Sequence, residues 1–499
     1  MQSVAYRSLL GLGEELALLN GVQALLGWDQ EVLLPSKGVP YRGRQMAWLV
    51  GWAHERFTRP EVGDWLAEAE EEQATVGAGD AVAAANLREW RHRYDRETCL
   101  PKRLVEDFAL ARVEAKAAWA EARRRSDFAL FAPHFHRLVD LSREKAAAWG
   151  ATGGAAYDVL LDLYERGATA ARVGEVLEDL RLRLVPLVEE ATTRERFDLG
   201  RLAGHYPVEK QAAFNREVAE SIGFDFEAGR IDTAVHPFCS GMAPEDTRLT
   251  TRYDEANFLS SLFGVLHEAG HGLYEQGLPK EWHGQPTGDS VSLGVHESQS
   301  RLWENHVGRS LPFWVRWLPR AAEHFPNLAG LAPEDLYAAV NRAELSHIRV
   351  EADEVTYDLH IALRFELEQA IIDGSLDLND LPGEWNRRFE SYFGLPVKND
   401  AEGCLQDIHW SMGMFGYFPT YSLGNLNAAH LVAAALSEPA VSAAFDVADY
   451  APLLAWMRER IHRRGSVLLP EALVAEAAGS PASAEPLVAH LRRRYLGEG

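Results

Sequence analysis

Apolar residues return every three or four positions through most of this chain, with charged residues between them, the spacing of amphipathic helices. VEDFALARVEAKAAWAEARRRSDFALFAPHFHRLVDLSREKAAAW shows it over many turns. From Asp80 to Glu190, Ala, Leu, Arg and Glu dominate, residue types that lose little side-chain freedom in a helix. The charges there read as the solvated faces of long antiparallel helices. Residues 1 to about 75 read as helices interrupted at LLPSKGVPYRG, where Pro35, Gly38 and Pro40 break the pattern. It breaks again at DLGRLAGHYPVE and at GFDFEAGRIDTAVHPFCSGMAPEDTRLTTRYD. The second break holds Gly, Pro and short alternating apolar segments, which predict turns and a small sheet over residues 228–253. Helices resume through residue 390, Gly403–Gly424 mixes a short helix with an aromatic loop, and helical spacing returns from residue 425. The expectation is a mostly α protein with a minor sheet. It reads as one unit over residues 1–499, with an amino-terminal helical lobe at 1–195 and a second lobe at 196–499.

Composition narrows the class. With 499 residues, 47% of them hydrophobic, the chain can bury a large core. Its 74 acidic against 50 basic residues give a net charge of -24, which favours solubility and weighs against a nucleic-acid or anionic-membrane partner. The amino terminus has no basic leader, and Glu14 and Glu15 interrupt its Leu pattern, so it reads as an amphipathic helix rather than a signal or a membrane span. Cys99, Cys239 and Cys404 are odd in number and far apart, unlike a disulfide framework. A cytoplasmic protein is expected.

The chemistry lies in His267-Glu268-Ala269-Gly270-His271, inside FLSSLFGVLHEAGHGLYEQG. Histidines four apart on a helix point to one side, so both imidazoles can reach one zinc ion, and Glu268 beside them can take a proton from water the metal activates. The helix is expected to start with Asp254 as N-cap and to end at Gly277, before Leu278 and Pro279. Gly270 and Gly272 let another segment approach closely. A catalytic zinc takes a third protein ligand. DSVSLGVHESQSRLWENHVG offers one on a following helix, capped by Ser290 or Ser292 and ended by Gly308. Glu297 is preferred there, leaving His296 to line the site or bind substrate; His296 and Glu304 are the rival ligands by spacing.

These residues closely resemble the thermostable carboxypeptidase Taq family of metallocarboxypeptidases. The family's HExxH matches His267–His271, its HES[GQ] segment His296–Gln299, its HPF element His236–Phe238, and its DxRxT element Asp246–Thr250. Its [IV]RxxAD element matches Ile348–Asp353, its GxxQDxHW element Gly403–Trp410, and WDQEVLLPSKG resembles its amino-terminal WDxxTxMP region, with Val32 and Leu34 departing from it. The resemblance implies His267, His271 and Glu297 as zinc ligands and Glu268 as the catalytic carboxylate. It implies a neurolysin-like helical metallopeptidase fold, with a deep cleft and a small sheet at its rim. It further implies a homodimer, cobalt as a possible substitute for zinc, and single-residue release from peptides and unfolded protein tails with a free carboxyl end. Broad terminal specificity with poor action on proline belongs to the same pattern.

Other residues fill the roles this reaction needs. His409 and Tyr421, with Tyr417 as the alternative, can donate to the oxyanion of the tetrahedral intermediate. An exopeptidase also needs a cation for the free carboxylate. Arg349 is chosen, held by Asp353 one helical turn on, with Arg248 as runner-up. His236 and the Asp246–Thr250 segment are placed at the border of the cleft, with Asp246 and Arg248 organising its wall. An oligoendopeptidase on the same fold is the rival reading, and would not need that cation.

Overall fold

A computed structural model describes residues 3–76, 80–151, 155–194 and 197–498. They form two compact units, each assembled from separate stretches of chain: Met1–Thr98, Phe197–Val340 and Asn427–Pro481 in the first, Cys99–Arg196, Asn341–Leu426 and Ala482–Gly499 in the second. Helices dominate both, and the small sheet belongs to the first unit.

That sheet lies where alternation predicts it. β1 (Gly229–Thr233) runs parallel to β3 (Asp246–Thr251), and β2 (Cys239–Ala243) pairs antiparallel on the other side of β3. β3 is the central strand, with Thr247, Leu249, Thr250 and Thr251 buried. The sheet packs on the helix Phe258–Gly277 and on the first helix, Val4–Val32. Trp28 of that first helix is buried beneath the guanidinium groups of Arg230 (5.2 Å) and Arg248 (4.5 Å), paired residues on β1 and β3. Asp29 takes Arg42 Nη2 at 2.6 Å from the next helix, Val39–Phe57. The Trp-Asp pair thus fastens two helices to the sheet. By length and composition Val4–Val32 could cross a membrane. Here its Leu9, Leu12 and Leu16 join Val62, Leu66, Leu87 and Trp90 in one apolar cluster, the ordinary fate of such a stripe.

The second unit is helical, and buried carboxylates tie its loops to the helix Tyr357–Asp373. Glu368 accepts from Tyr157 Oη (2.8 Å), Trp410 Nε1 (2.8 Å) and the Gly416 amide (2.9 Å). Asp358 accepts from Ser422 Oγ (2.6 Å) and Asn425 Nδ2 (2.9 Å). Buried carboxylates persist because each finds such donors.

Two helix starts differ from the sequence reading. The helix carrying the HExxH residues begins at Phe258 with Asn257 as N-cap, while the Asp254 carboxylate accepts the Ala256 amide (2.8 Å) in the preceding turn. The helical run expected to continue through residue 390 is interrupted before Tyr357: Arg349–Glu351 is only a short 3-10 turn. The cause is Asp353, whose carboxylate accepts the Val355 (2.9 Å) and Thr356 (3.0 Å) amides and so marks a helix start rather than a helix interior.

Candidate metal centre

The candidate metal donors come from two helices of the first unit, Phe258–Gly277 and Leu293–Arg301, the latter capped by Ser292 Oγ on the Val295 amide (3.1 Å). Gly270 is what lets them meet. A Cβ there would lie 2.5 Å from the Gln299 carbonyl oxygen and 2.6 Å from Ser300 Cα, both backbone atoms that cannot swing away. Gly270→Ala is expected to lower stability by about 1–3 kcal/mol through overpacking and to loosen zinc with it. Unchanged denaturation midpoint and zinc affinity would show that the approach is not needed.

His267, His271 and Glu297 each offer a ligand atom, all within 4.8 Å of one another. Glu297 Oε2 lies 3.7 Å from His267 Nε2 and 3.5 Å from His271 Nε2. A tetrahedral zinc with bonds of about 2.0–2.1 Å separates its ligands by about 3.3 Å, so the donor set fits zinc in both type and spacing. Each inner atom is aimed by a partner on its far side. Glu304 Oε2 meets His267 Nδ1 at 2.8 Å, His296 meets His271 Nδ1, and Arg301 Nε donates to Glu297 Oε1 at 2.7 Å. Arg301 Nη1 reaches Glu304 Oε2 at 3.5 Å, so one guanidinium braces two of the three donors. Glu304 lies in a π-helical turn, Leu302–Gly308, that continues the second helix to its end. Of the three candidates for the third ligand, Glu297 alone is grouped with both histidines; His296 and Glu304 stand on their outer faces.

The electrostatics agree with a dication. Burial opposes a charged His267, but Glu297, Glu304 and Glu268 outweigh it and raise its pKa to about 9. The same negative field favours a bound cation. Burial, with His296 and His267 adding to it, holds His271 well below its ordinary pKa and so keeps its nitrogen free to ligate. Burial also pushes Glu268 up to about 7, against the pull of His267 and with help from Glu297 and Glu304. Glu304 goes the other way: its hydrogen bond to His267 and the charge of Arg301 overcome burial and bring it to about 2.

The other expected site residues fall in two places. On the first unit's sheet, Arg248 makes a two-pronged pair with Asp246 (2.8 and 2.8 Å), and His236 is exposed in the link from β1 to β2. In the second unit, Arg349, His409, Tyr417 and Tyr421 come together. His409 Nε2 is 3.3 Å from Tyr421 Oη, its ring is 5.3 Å from that of Tyr417, and the Arg349 guanidinium lies over the Tyr421 ring at 4.9 Å. Burial lowers His409 to about 4, so its imidazole is neutral.

The Arg349–Asp353 pairing does not occur. Asp353 is turned to backbone amides, and Arg349 instead gives Nε (3.0 Å) and Nη2 (2.9 Å) to Asp407 Oδ1 and Nη1 (2.8 Å) to Tyr357 Oη. Arg364 Nε holds the other oxygen of Asp407 at 2.7 Å. One carboxylate therefore serves two buried guanidinium groups, and the three together carry a net positive charge. Arg301, Glu275, His462, Arg364 and the bracing role of Asp407 were not singled out in the sequence. Arg301 was within reach, because it stands one helical turn beyond Glu297. His462, which meets Gln299 Oε1 at 2.9 Å from far along the chain, gave no local signal.

Comparison with known proteins agrees. Residues 8–495 match the family described as Carboxypeptidase Taq (M32) metallopeptidase. The chain is 45% identical over 501 residues to thermostable carboxypeptidase 1 of Thermus thermophilus, covering 98% of each chain. It superposes on the crystal structure of the M32 carboxypeptidase of Deinococcus radiodurans with a TM-score of 0.94 at 37% identity, covering 99% of both. On metallocarboxypeptidase 1 of Trypanosoma cruzi the TM-score is 0.93 at 36% identity, over 98% of this chain and 99% of that one. With its zinc-fitting His-His-Glu cluster, this chain belongs to the Carboxypeptidase Taq (M32) family and is a zinc-dependent metallocarboxypeptidase.

Proposed function

We propose that the enzyme trims single residues from the free carboxyl end of peptides and unfolded protein tails, with His267, His271 and Glu297 holding zinc and Glu268 as general base. The observation that carries this is the convergence of two imidazole nitrogens and one carboxylate oxygen at tetrahedral spacing, beside a buried carboxylate on the same helix. Zinc bound there supplies Lewis acidity, which polarises the scissile carbonyl and makes water easier to deprotonate. Glu268 takes the proton from the attacking water and returns it to the leaving amine. With zinc held by His267, His271 and Glu297, Glu268 would favour the ionised form a base requires. In the second unit, Arg349 receives the substrate's terminal carboxylate, supported by the surplus positive charge of the Arg349–Asp407–Arg364 cluster. The neutral His409 and Tyr421 can donate hydrogen bonds to developing negative charge, with Tyr417 beside them.

All three cysteines are free, with Cys404 buried and Cys99 exposed, which fits a reducing compartment and a cytoplasmic role. A homodimer is part of the same proposal and is checked by light scattering.

A timed mass-spectrometric digest of one peptide as free acid and as amide, with zinc supplied, tests the function. A ladder shortening by single residues from the free-acid form only is expected. Internal fragments from both forms would make the enzyme an oligoendopeptidase.

A further inference from the structure

His296 stands on the outer side of a proposed zinc ligand. His271 Nε2 is turned to Glu297, and its Nδ1 is turned to His296, whose carbonyl oxygen lies at 3.1 Å and whose Nδ1 lies at 2.6 Å. The far nitrogen of His296, Nε2, meets Glu275 Oε1 at 2.7 Å. The two imidazole planes are near parallel, with centroids 4.6 Å apart and an interplanar angle of 28°, and the Tyr274 ring lies 5.3 Å from that of His296. We infer that Glu275, His296 and His271 form one hydrogen-bonded chain, in which His296 is a positioning residue for the metal ligand His271. The inference rests on the assignment of His267, His271 and Glu297 as the zinc donors.

The proton positions follow from the geometry. If His271 ligates through Nε2, its one ring proton sits on Nδ1 and is donated to the carbonyl and Nδ1 of His296. His296 Nδ1 then accepts, so its own proton sits on Nε2, where the Glu275 carboxylate takes it. Were the proton of His296 on Nδ1 instead, that atom would donate to His271 Nδ1, and the one ring proton of His271 would sit on Nε2 and block ligation. A fixed Glu275 therefore selects the ligating tautomer two residues away. β2 is shaped for that carboxylate: a Cβ at Gly241 would fall 2.5 Å from Glu275 Oε2. His267 is served more directly, by Glu304 alone. The two zinc histidines thus have unequal supports, a carboxylate for one and a carboxylate acting through an imidazole for the other.

The test measures the zinc dissociation constant of the full-length protein by competition with a chelator, alongside kcat and KM at saturating zinc. His296→Ala is expected to weaken zinc by about 10- to 100-fold. His296→Asn recovers most of that loss, since its side-chain oxygen can accept from His271, and Glu275→Gln shows a smaller loss. KM changes less than zinc affinity in each. Wild-type zinc affinity in His296→Ala would overturn the inference, and a raised KM beside it would make His296 a substrate contact. If zinc affinity falls in the expected order while no form of the protein cleaves peptides, the positioning role stands and the peptidase reading falls.

Discussion

Glu268→Gln should lower kcat by about 10²- to 10⁴-fold while leaving a full complement of zinc. Gln has nearly the shape of Glu and fits the same buried helix position, so the fold has no reason to change. What disappears is the ability to accept a proton from water and to hand it to the leaving amine. Zinc content should persist because His267, His271 and Glu297 are intact and their outer partners, Glu304, His296 and Arg301, are untouched. The loss should appear in kcat and kcat/KM together, as for a group that acts in the transition state. Peptidase activity within a few-fold of wild type, at equal zinc content, would remove Glu268 from the base role.

Asp407→Ala should destabilise the second unit by about 3–5 kcal/mol, the cost of leaving buried charge without its partner. Arg349 and Arg364 are buried, at 5% and 0% exposure, and both donate to this one carboxylate. Burial alone would raise the pKa of Asp407, but Arg364 and Arg349 overcome it and hold the group well below the usual carboxylate range. Because the folded pKa is depressed, the stabilisation is fully present above the unfolded value of about 3.9 and is lost as pH falls through the folded one. Urea unfolding at neutral pH measures the effect, with tryptophan fluorescence as the probe. Asp407→Leu with Arg364→Met should recover part of the loss by removing a second charge along with the first. A single-variant loss below about 1 kcal/mol would mean that water or rearrangement neutralises the arginines.

The helical class, the small sheet and the candidate metal cluster were legible because each rests on local spacing. Alternation over residues 228–253 gave the three strands, and the four-residue interval from His267 to His271 placed two nitrogens on one side of a helix. Spacing could not choose among His296, Glu297 and Glu304, since all lie within about two turns of one helix and only the packing at Gly270 decides which faces inward. The failure at Arg349 has the same root. A four-residue interval from Arg349 to Asp353 implies contact only inside a helix, and Asp353, by holding the Val355 and Thr356 amides in the turn before the next helix, ensures that there is none. The true partner, Asp407, is brought near by tertiary packing, and helical periodicity carries no record of that.

Synthesis from the amino end sets an order on the metal centre. All three candidate zinc donors, and Glu304 and Arg301 behind them, leave the ribosome well before His462, which belongs to the last stretch of the first unit. Until then the Gln299 side chain lacks the imidazole it meets in the finished fold. Elongation must therefore pass through Asn341–Leu426, a stretch of the second unit, before the wall behind the donors can close. A nascent chain carries its metal-binding residues early and their full support late, so a peptidase released prematurely would lack the packing that holds its own site in shape.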